Sequence, residues 1–274
     1  AGAGTLNSAL AMGGANPGSS AATEEWNFDT TLAAGVWASS NDTNTVRQES
    51  GGLGSQTAAS IVSGSDGPGS YTAKVESYDG SSWTEVADVD TPRQSLGGMG
   101  TNTAGLIVGG NDGSYIGASE EWNGTSWVEG NNAGDAIGYR ATTGTQTAGL
   151  AAGGTSPIQA SVESYDGTSW SEETAYPGTE ASGAGAAGVL TAAIVFGGDG
   201  AVTEAFTFDG SSWAAAGDIN TGRYYINSSG ASETDAMCMG GQIDPGVQAV
   251  TETYDGIAWT EQADLSVARG RGAN

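Results

Sequence analysis

Four arginines recur at one place in a repeated sequence pattern, and their side chains are candidates for ligand binding. Arg47, Arg93 and Arg223 each lie seven residues before a turn glycine, and Arg269 opens a similar segment near the C-terminus. A guanidinium group presents its N–H donors as a planar fork that fits a carboxylate or the hydroxyls of a sugar. The alternative is that these arginines brace neighbouring carboxylates and loop backbones.

Four aspartates form a second candidate set, because each follows a Gly-Gly pair or its equivalent. They are Asp66, Asp112, Asp199 and Asp244. Carboxylates at such positions accept hydrogen bonds from ligand hydroxyls, or they are solvated turn residues. Oxygen ligands also suit Ca²⁺, but no loop has the spaced D-x-D-x-D-G pattern. The sequence therefore predicts no metal and no cofactor, with calcium as the alternative.

Composition excludes several classes of function. The chain of 274 residues has no histidine and a single cysteine, Cys238, so imidazole catalysis, a Cys/His zinc site and an internal disulfide are ruled out. Copper chemistry that needs histidine ligands is excluded too. The formal net charge of −25 makes nucleic acid and anionic membranes poor partners. No apolar stretch approaches the roughly 20 residues of a membrane helix.

One motif occurs six times: an aromatic residue, then Asp or Asn, usually Gly, and a tryptophan a few residues later. The aromatic and tryptophan pairs are Phe28 and Trp37, Tyr78 and Trp83, Trp122 and Trp127, Tyr165 and Trp170, Phe208 and Trp213, and Tyr254 and Trp259. Successive tryptophans lie 43 to 46 residues apart. A short apolar run ending in Gly-Gly precedes most copies, and a Gly-Thr type turn comes earlier still.

Each repeat therefore predicts four short antiparallel strands in about 45 residues, because Asp-Gly between two β-prone runs favours a hairpin. A single such sheet cannot bury both faces, whereas copies arranged in a ring bury one another. We predict an all-β, six-bladed β-propeller that forms one domain over residues 1–274. The C-terminal residues are expected to close the ring by supplying the inner strand of the blade formed by residues 5–40. Both termini would then share one face, which would allow insertion into a longer chain.

The six motif tryptophans are interpreted as structural wedges between blades. They are Trp37, Trp83, Trp127, Trp170, Trp213 and Trp259. Burial of one indole removes on the order of 200 Å² from water, so the ring as a whole gains much stability from them. The alternative is that some of these rings are stacking platforms for sugars.

The arginine-led strand, the apolar strand ending in Gly-Gly, and the Tyr-Asp…Trp spacing resemble the kelch repeat over essentially the whole chain. Segments such as SEEWNGTSWVEG at 119–130 and GTQTAGLAAGG at 144–154 are similar to kelch-like arrays of marine phage structural and tail-fibre-like proteins. The resemblance implies the propeller fold, and it leaves the function open.

The function predicted from these observations is a non-enzymatic structural or adhesive propeller on a virion or on the cell exterior. Its expected partners are other virion or surface proteins, or a host-surface glycan. One alternative is a lectin-like module whose pocket lies at the arginine-bearing face. Another is a sialidase-like glycoside hydrolase that uses Arg93, Arg223 and either Tyr224 or Tyr225.

Overall fold

The chain folds as six four-stranded antiparallel sheets, which confirms the predicted β-propeller. The computed structural model describes residues 2–16, 18–29, 34–155, 160–179 and 181–271. Within these ranges there is no α-helix, and hence no helix that could span a membrane. The one helical element there is a 3-10 turn at Asp199–Ala201.

The first three blades follow one another along the chain. Blade 1 contains β1 (Gly2–Thr5), β2 (Ser8–Met12), β3 (Thr23–Asp29) and β4 (Ala34–Ser39). Blade 2 contains β5 (Gly51–Ser55) and β6 (Ala58–Val62), a small hairpin of β7 (Ser65–Gly67) and β8 (Ser70–Tyr71), then β9 (Val75–Tyr78) and β10 (Trp83–Val86). Blade 3 contains β11 (Gly97–Thr101), β12 (Ala104–Val108), β13 (Ser119–Trp122) and β14 (Trp127–Glu129).

The last three blades repeat this order. Blade 4 contains β15 (Ala141–Thr145), β16 (Ala148–Ala152), β17 (Val162–Tyr165) and β18 (Trp170–Glu172). Blade 5 contains β19 (Gly185–Val189), β20 (Ala192–Phe196), β21 (Ala205–Phe208) and β22 (Trp213–Ala215). Blade 6 contains β23 (Asn227–Ser232) and β24 (Asp235–Met239), a small hairpin of β25 (Gln242–Ile243) and β26 (Gly246–Val247), then β27 (Thr251–Tyr254) and β28 (Trp259–Glu261).

The inner strands are rich in small residues because they crowd around the axis. A Cβ atom on Gly98 would lie 2.7 Å from the carbonyl oxygen of Gly52 in the neighbouring inner strand. Only glycine allows strands of adjacent blades to approach this closely. The inner-strand composition therefore sets the width of the central channel.

The core consists of apolar clusters between neighbouring blades, and each motif tryptophan lies in one of them. Trp83, for example, packs with Leu10 of blade 1 and Ile61 of blade 2. The other five interfaces are built in the same way. Trp83 also donates its indole N–H to the backbone oxygen of Asn41, at 3.0 Å, in the segment after blade 1. The indoles thus lie between blades, as the spacing of the motif suggests.

In blade 1 the aromatic partner of Trp37 is Trp26 and not Phe28. Trp26 stands opposite Trp37 in the β3–β4 pairing, as Tyr78 stands opposite Trp83 in blade 2. The first copy of the motif departs from the others because its outer strands are longer, so the ring contact falls earlier in β3. The hairpin residues 30–33 lie outside the described residues.

Closure of the ring differs from the expectation in one respect. The inner strand of blade 1 is β1, which pairs with β2 across a tight turn, and it is not supplied by the C-terminal residues. This arrangement is favoured because closing a short hairpin loop between neighbouring strands costs little conformational entropy. The C-terminal segment still joins blade 1, since Gly270 bridges Ala15 and Arg269 pairs with Glu24 of β3. Residues 272–274, part of the predicted strand, lie outside the described residues.

Candidate binding site on the propeller axis

The four candidate arginines lie inside the blades and do not point into the central opening, which corrects the expected ligand geometry. Each forms an ion pair with a glutamate on the third strand of its blade, and Arg140 does the same. The pairs are Arg47–Glu76, Arg93–Glu120, Arg140–Glu163, Arg223–Glu252 and Arg269–Glu24. No arginine side chain among them is more than 1% exposed. A ligand at the mouth cannot reach them.

These ion pairs fasten the incoming loop of each blade to its third strand. The carboxylate of Glu76 accepts hydrogen bonds from the backbone N–H groups of Asn44 and Thr45 as well as from Arg47. Arg47 also donates to the backbone oxygen of Lys74, at 2.7 Å. A buried ion pair is tolerable only when such additional hydrogen bonds satisfy both groups. The role of the repeated arginines is therefore structural.

Blade 5 lacks the ion pair and carries aromatic rings in its place. Phe206 occupies the strand position of the paired glutamate, and Ala181 lies where the arginine would be. Tyr176 packs edge-on against Phe206 and Trp213, with ring centroids 5.4 and 5.2 Å apart. The arginine and the glutamate are both missing from this blade, as expected, because either one alone would be a buried charge without a partner.

The four candidate aspartates are exposed and lie in the loops at the face that bears the arginine segments. Asp244 accepts hydrogen bonds from the Tyr224 hydroxyl at 2.6 Å and from the Gln242 amide at 3.1 Å, and these bonds lower its pKa. Asp199 accepts from the backbone N–H of Gly200. In the part of the chain that the structure describes, no three His, Cys, Asp or Glu residues lie together as a metal site. The geometry therefore gives calcium no support.

A different set of residues converges on the axis, one from each blade. They are Arg271, Glu49, Ser95, Tyr139, Gly183 and Tyr225, with φ angles between 52° and 66°. Five of the six are not glycine, and left-handed backbone at such residues costs on the order of 1–3 kcal/mol each. Strain of this kind, repeated around an axis, marks a place where the fold holds side chains for a purpose.

Backbone hydrogen bonds join these six positions into a closed ring, which we call the axial ring. Glu49 donates its N–H to the backbone oxygen of Arg271 at 2.7 Å, Ser95 to Glu49 at 2.8 Å and Tyr139 to Ser95 at 2.9 Å. Gly183 donates to Tyr139 at 2.9 Å, Ile226 to Gly183 at 3.3 Å and Arg271 to Tyr225 at 3.2 Å. Arg271 therefore closes the ring between blades 6 and 2.

The side chains of the axial ring form one hydrogen-bonded cluster around Glu49. The Glu49 carboxylate accepts from the Ser95 hydroxyl at 2.7 Å and the Tyr139 hydroxyl at 2.6 Å. Arg271 lies 3.4 Å from the same carboxylate and 5.0 Å above the ring centre of Tyr225. Tyr225 in turn packs against Tyr139, with centroids 5.0 Å apart.

Gly183 makes room for this cluster. A Cβ atom at Gly183 would lie 2.8 Å from Cδ1 and 2.9 Å from the backbone nitrogen of Tyr225. Its φ of 66° is also one that side chains rarely adopt. Blade 5 therefore contributes space to the axial ring where the other blades contribute side chains.

The tyrosines of the axial ring are neutral hydrogen-bond donors. Burial raises the pKa of Tyr139, and the charge of Glu49 beside it acts in the same direction. Burial also raises the pKa of Tyr225, while Arg271 opposes the shift.

A groove of about 410 Å³ opens beside the axial ring, where blades 6 and 1 meet. It is lined by Ala15, Asn16, Gln48, Gln242, Pro245, Gly246, Val247 and Arg271. The β25–β26 hairpin forms one wall. Three amide side chains and a guanidinium thus face a space large enough for a monosaccharide, and amides of this kind bind hydroxyl groups.

Arg271 is set apart from the other cations of the chain. Of the seven Lys and Arg residues, five are buried in the ion pairs above, and Lys74 pairs with Glu85 at 2.9 Å on the exposed outer part of blade 2. The side chain of Arg271 is 38% exposed. The groove therefore holds the one exposed arginine of a protein with a net charge of −25.

The opposite end of the axis has no comparable chemistry. A cavity of about 110 Å³ there is lined by residues of all six inner strands. Its lining consists of Gly, Ala, Ser and Thr residues with Leu53 and Met99, and it includes no charged side chain. The lining of this cavity therefore lacks the guanidinium and the amide side chains that line the groove.

The sequence analysis missed the axial ring, although a signal was present. Glu49, Ser95, Tyr225 and Arg271 each lie two residues after a repeated arginine, and the residue type differs in every copy. Blade 4 differs, because Tyr139 holds the axial position there and the ion-pairing Arg140 follows it by one residue. A variable position within an otherwise repeated strand indicates a site that the repeat alone does not need.

Comparison with known proteins supports the fold and goes no further. A solved structure entitled "Structure of YjhT" aligns with 96% of this chain and 96% of its own, with a TM-score of 0.73 and 13% sequence identity. At that identity the likeness shows the fold alone. No protein-family model matches the sequence, and no curated protein matches it.

Proposed function

We propose that this protein is a binding propeller that holds a glycan in the groove beside the axial ring. The proposal rests on the observation that the residue types at the axis do not repeat from blade to blade. Ion pairs, tryptophans and turns recur from blade to blade, whereas the six equivalent positions of the axial ring carry five different residue types, with only tyrosine used twice. A structural ring alone needs no such variety, and propellers commonly serve protein or glycan contact.

The geometry favours binding over catalysis. Amide side chains and one guanidinium line the groove, and neither Glu49 nor Tyr139 is among its lining residues.

The residues predicted for the sialidase-like alternative are brought together only in part, because Tyr225 lies in the axial ring beside Arg271 whereas the two arginines do not. Arg93 lies in blade 3 and Arg223 in blade 6, each buried against a glutamate of its own blade. They cannot gather around one substrate carboxylate.

We further propose that the propeller is displayed on a virion or a cell exterior as an adhesive module. Its regular blades and acidic, lysine-poor surface suit a role in contact, as does the similarity of its repeats to kelch-like phage arrays. Partners on the particle are then other structural proteins, and the partner on the host is a surface glycan. Deletion of the module from its particle or cell should reduce adsorption, and unchanged adsorption would contradict this part of the proposal.

The glycan-binding proposal is tested by screening the protein on a glycan array beside two variants. Arg271→Gln removes the exposed guanidinium at the groove, and Lys74→Gln removes the same charge from the outer part of blade 2. We expect binding by the wild type and by Lys74→Gln, with at least tenfold weaker binding by Arg271→Gln. Absence of any glycan signal for the wild-type protein, or equal signals for all three proteins, would refute the proposal.

A further inference from the structure

We infer that the groove takes its glycan through a single carboxylate docked on Arg271, and that the acidic loops around it exclude polyanionic chains. This inference rests on the proposed function and adds the chemical class of the ligand. It makes the axial ring a charge-selective site in a protein whose overall charge repels anions.

The first step is that Arg271 has hydrogen-bonding capacity to spare. A guanidinium carries five N–H donors. Among the described residues, the side chain of Arg271 makes one long ion pair, 3.4 Å from Glu49. A carboxylate in the groove can therefore form a two-point contact with the open edge of the fork.

The second step is that Arg271 is held in place before a ligand arrives. Its guanidinium lies 5.0 Å over the ring centre of Tyr225, and its backbone N–H and C=O are both bonded within the axial ring. Cation–π contact fixes the plane of the fork. A pre-oriented arginine loses less entropy on binding than a free one.

The third step concerns Glu49, which we assign as a positioning residue. Its side chain is 3% exposed, and Ser95 and Tyr139 share its negative charge by donating to Oε2. Arg271 contacts the other oxygen, Oε1. Glu49 therefore orients the guanidinium without covering it, and Arg271 bridges the protein carboxylate and that of the ligand.

The fourth step is the neutral lining of the rest of the groove. The amides of Asn16, Gln48 and Gln242 face the space beside Arg271. Amides donate to and accept from hydroxyls, and they give no advantage to a second negative charge. A sugar ring with one carboxylate thus finds a partner for each of its polar groups.

The fifth step is the charge of the surrounding loops. Asp244 lies on the β25–β26 hairpin at the groove, and Asp66, Asp112 and Asp199 lie in the corresponding loops of blades 2, 3 and 5. All four are exposed. Like charges repel one another even in water. A chain with repeated sulfates or carboxylates meets this repulsion at each additional charge, whereas the one charge of a single carboxylate is paired with Arg271.

The test is an array that carries three classes of glycan: neutral, single-carboxylate and polysulfated. It is probed with the wild type, Arg271→Gln, Glu49→Gln and Lys74→Gln, each first shown by thermal unfolding to be folded. We expect binding to single-carboxylate glycans, loss of at least tenfold in Arg271→Gln, a smaller loss in Glu49→Gln and no change in Lys74→Gln. Binding confined to neutral or polysulfated glycans would overturn the inference and leave the proposed function standing, whereas no binding to any class would overturn both.

A solution experiment then isolates the carboxylate from the sugar. Ligand-observed NMR compares the methyl glycosides of two hexuronic acids with the corresponding uronamides, which keep the shape and lose the charge. We expect at least tenfold tighter binding of an acid than of its amide, and no such difference in Arg271→Gln. Equal binding of acid and amide by the wild type would refute docking on Arg271. A Glu49→Gln variant that keeps full acid selectivity would refute the positioning role of Glu49.

Discussion

The buried ion pairs are the residue-scale feature on which each blade depends. Replacing Arg47 by Met keeps most of the side-chain volume and leaves the Glu76 carboxylate buried without its cation. Loss of one partner of a buried pair costs about 3–5 kcal/mol, whereas an exposed pair contributes about 0–1 kcal/mol. We therefore expect Arg47→Met to lower the free energy of unfolding by about 3–5 kcal/mol in urea titrations. Lys74→Met, which breaks the exposed pair with Glu85, should leave it nearly unchanged.

Equal costs for the two variants would contradict this assignment. A small cost for Arg47→Met would mean that water reaches the glutamate, and that the pair is not buried as described.

Tyr139 gives a second residue-scale prediction, which concerns alkaline pH. Its folded-state pKa is raised by burial and by Glu49, so the native state binds its proton more tightly than the unfolded chain does. The resulting stability is present below the unfolded tyrosine pKa of about 10 and is lost as the pH rises above it. We expect the free energy of unfolding to decline above about pH 10, and to decline less steeply in Tyr139→Phe.

The measurement is urea unfolding at a series of pH values from 8 to about 11. The same slope in the wild type and in Tyr139→Phe would show that the Tyr139 proton is not held by the fold.

At the scale of the element, the C-terminal segment is the part that converts six blades into a ring. It supplies Arg269 for Glu24, the Ser266 N–H for the same carboxylate, and Arg271 for the axial ring. Truncation after Gln262 removes all three of these groups and leaves the Glu24 carboxylate buried without its cation. We expect a loss of stability of at least about 3–5 kcal/mol. Unfolding should also lose cooperativity, because blades 6 and 1 are no longer fastened.

The check is guanidinium unfolding followed by both tryptophan fluorescence and circular dichroism. Coincident, unshifted transitions in the truncated protein would contradict the role of this segment. Arg269→Met isolates the ion pair, and it should show part of the loss with cooperativity retained.

The strands could be predicted well from the sequence because the same strand and turn motifs recur in each repeat. Five copies of the Gly-Gly run, with four Asp-Gly hairpins and one Asn-Gly hairpin, placed the strands, and the tryptophan spacing predicted the number of blades. The burial of the arginines could have been inferred too, since Glu76, Glu120, Glu163 and Glu252 recur two residues before an aromatic residue. Blade 5, where Phe206 replaces this glutamate, lacks the arginine as well.

The side-chain contacts of the axial ring could not be predicted in this way. Contacts between Glu49, Tyr139 and Arg271 join residues from three blades, and no repeated pattern connects them. Their proximity follows from the ring geometry, which brings the residues that lead into the inner strands to the axis. The closing strand was assigned to the wrong terminus for a related reason: both terminal segments have small-residue composition, and only the β1–β2 register distinguishes them.

At the scale of the whole molecule, the dominant feature is an excess of acidic over basic residues, 32 against 7. Five of the seven cationic side chains lie in buried ion pairs. Few positive charges therefore remain at the surface to offset the repulsion between exposed carboxylates. Salt screens exposed charges beyond about 10 Å at 0.1 M and screens buried pairs much less. We expect added NaCl, from 0.02 to about 0.5 M, to raise the unfolding midpoint by at least about 2–4 °C, equivalent to about 1 kcal/mol.

The outer hairpins offer a matched variant that separates charge from structure. In four blades an exposed aspartate closes the hairpin by accepting backbone N–H bonds: Asp79, Asp166, Asp209 and Asp255. Blade 3 makes the same turn with Asn123, whose side-chain oxygen accepts from Thr125 and Ser126. Changing the four aspartates to asparagine thus removes four charges and keeps the turn. The variant should respond less to added salt than the wild type, because less self-repulsion remains to be screened. An identical salt response would show that the acidic surface does not destabilise the ring.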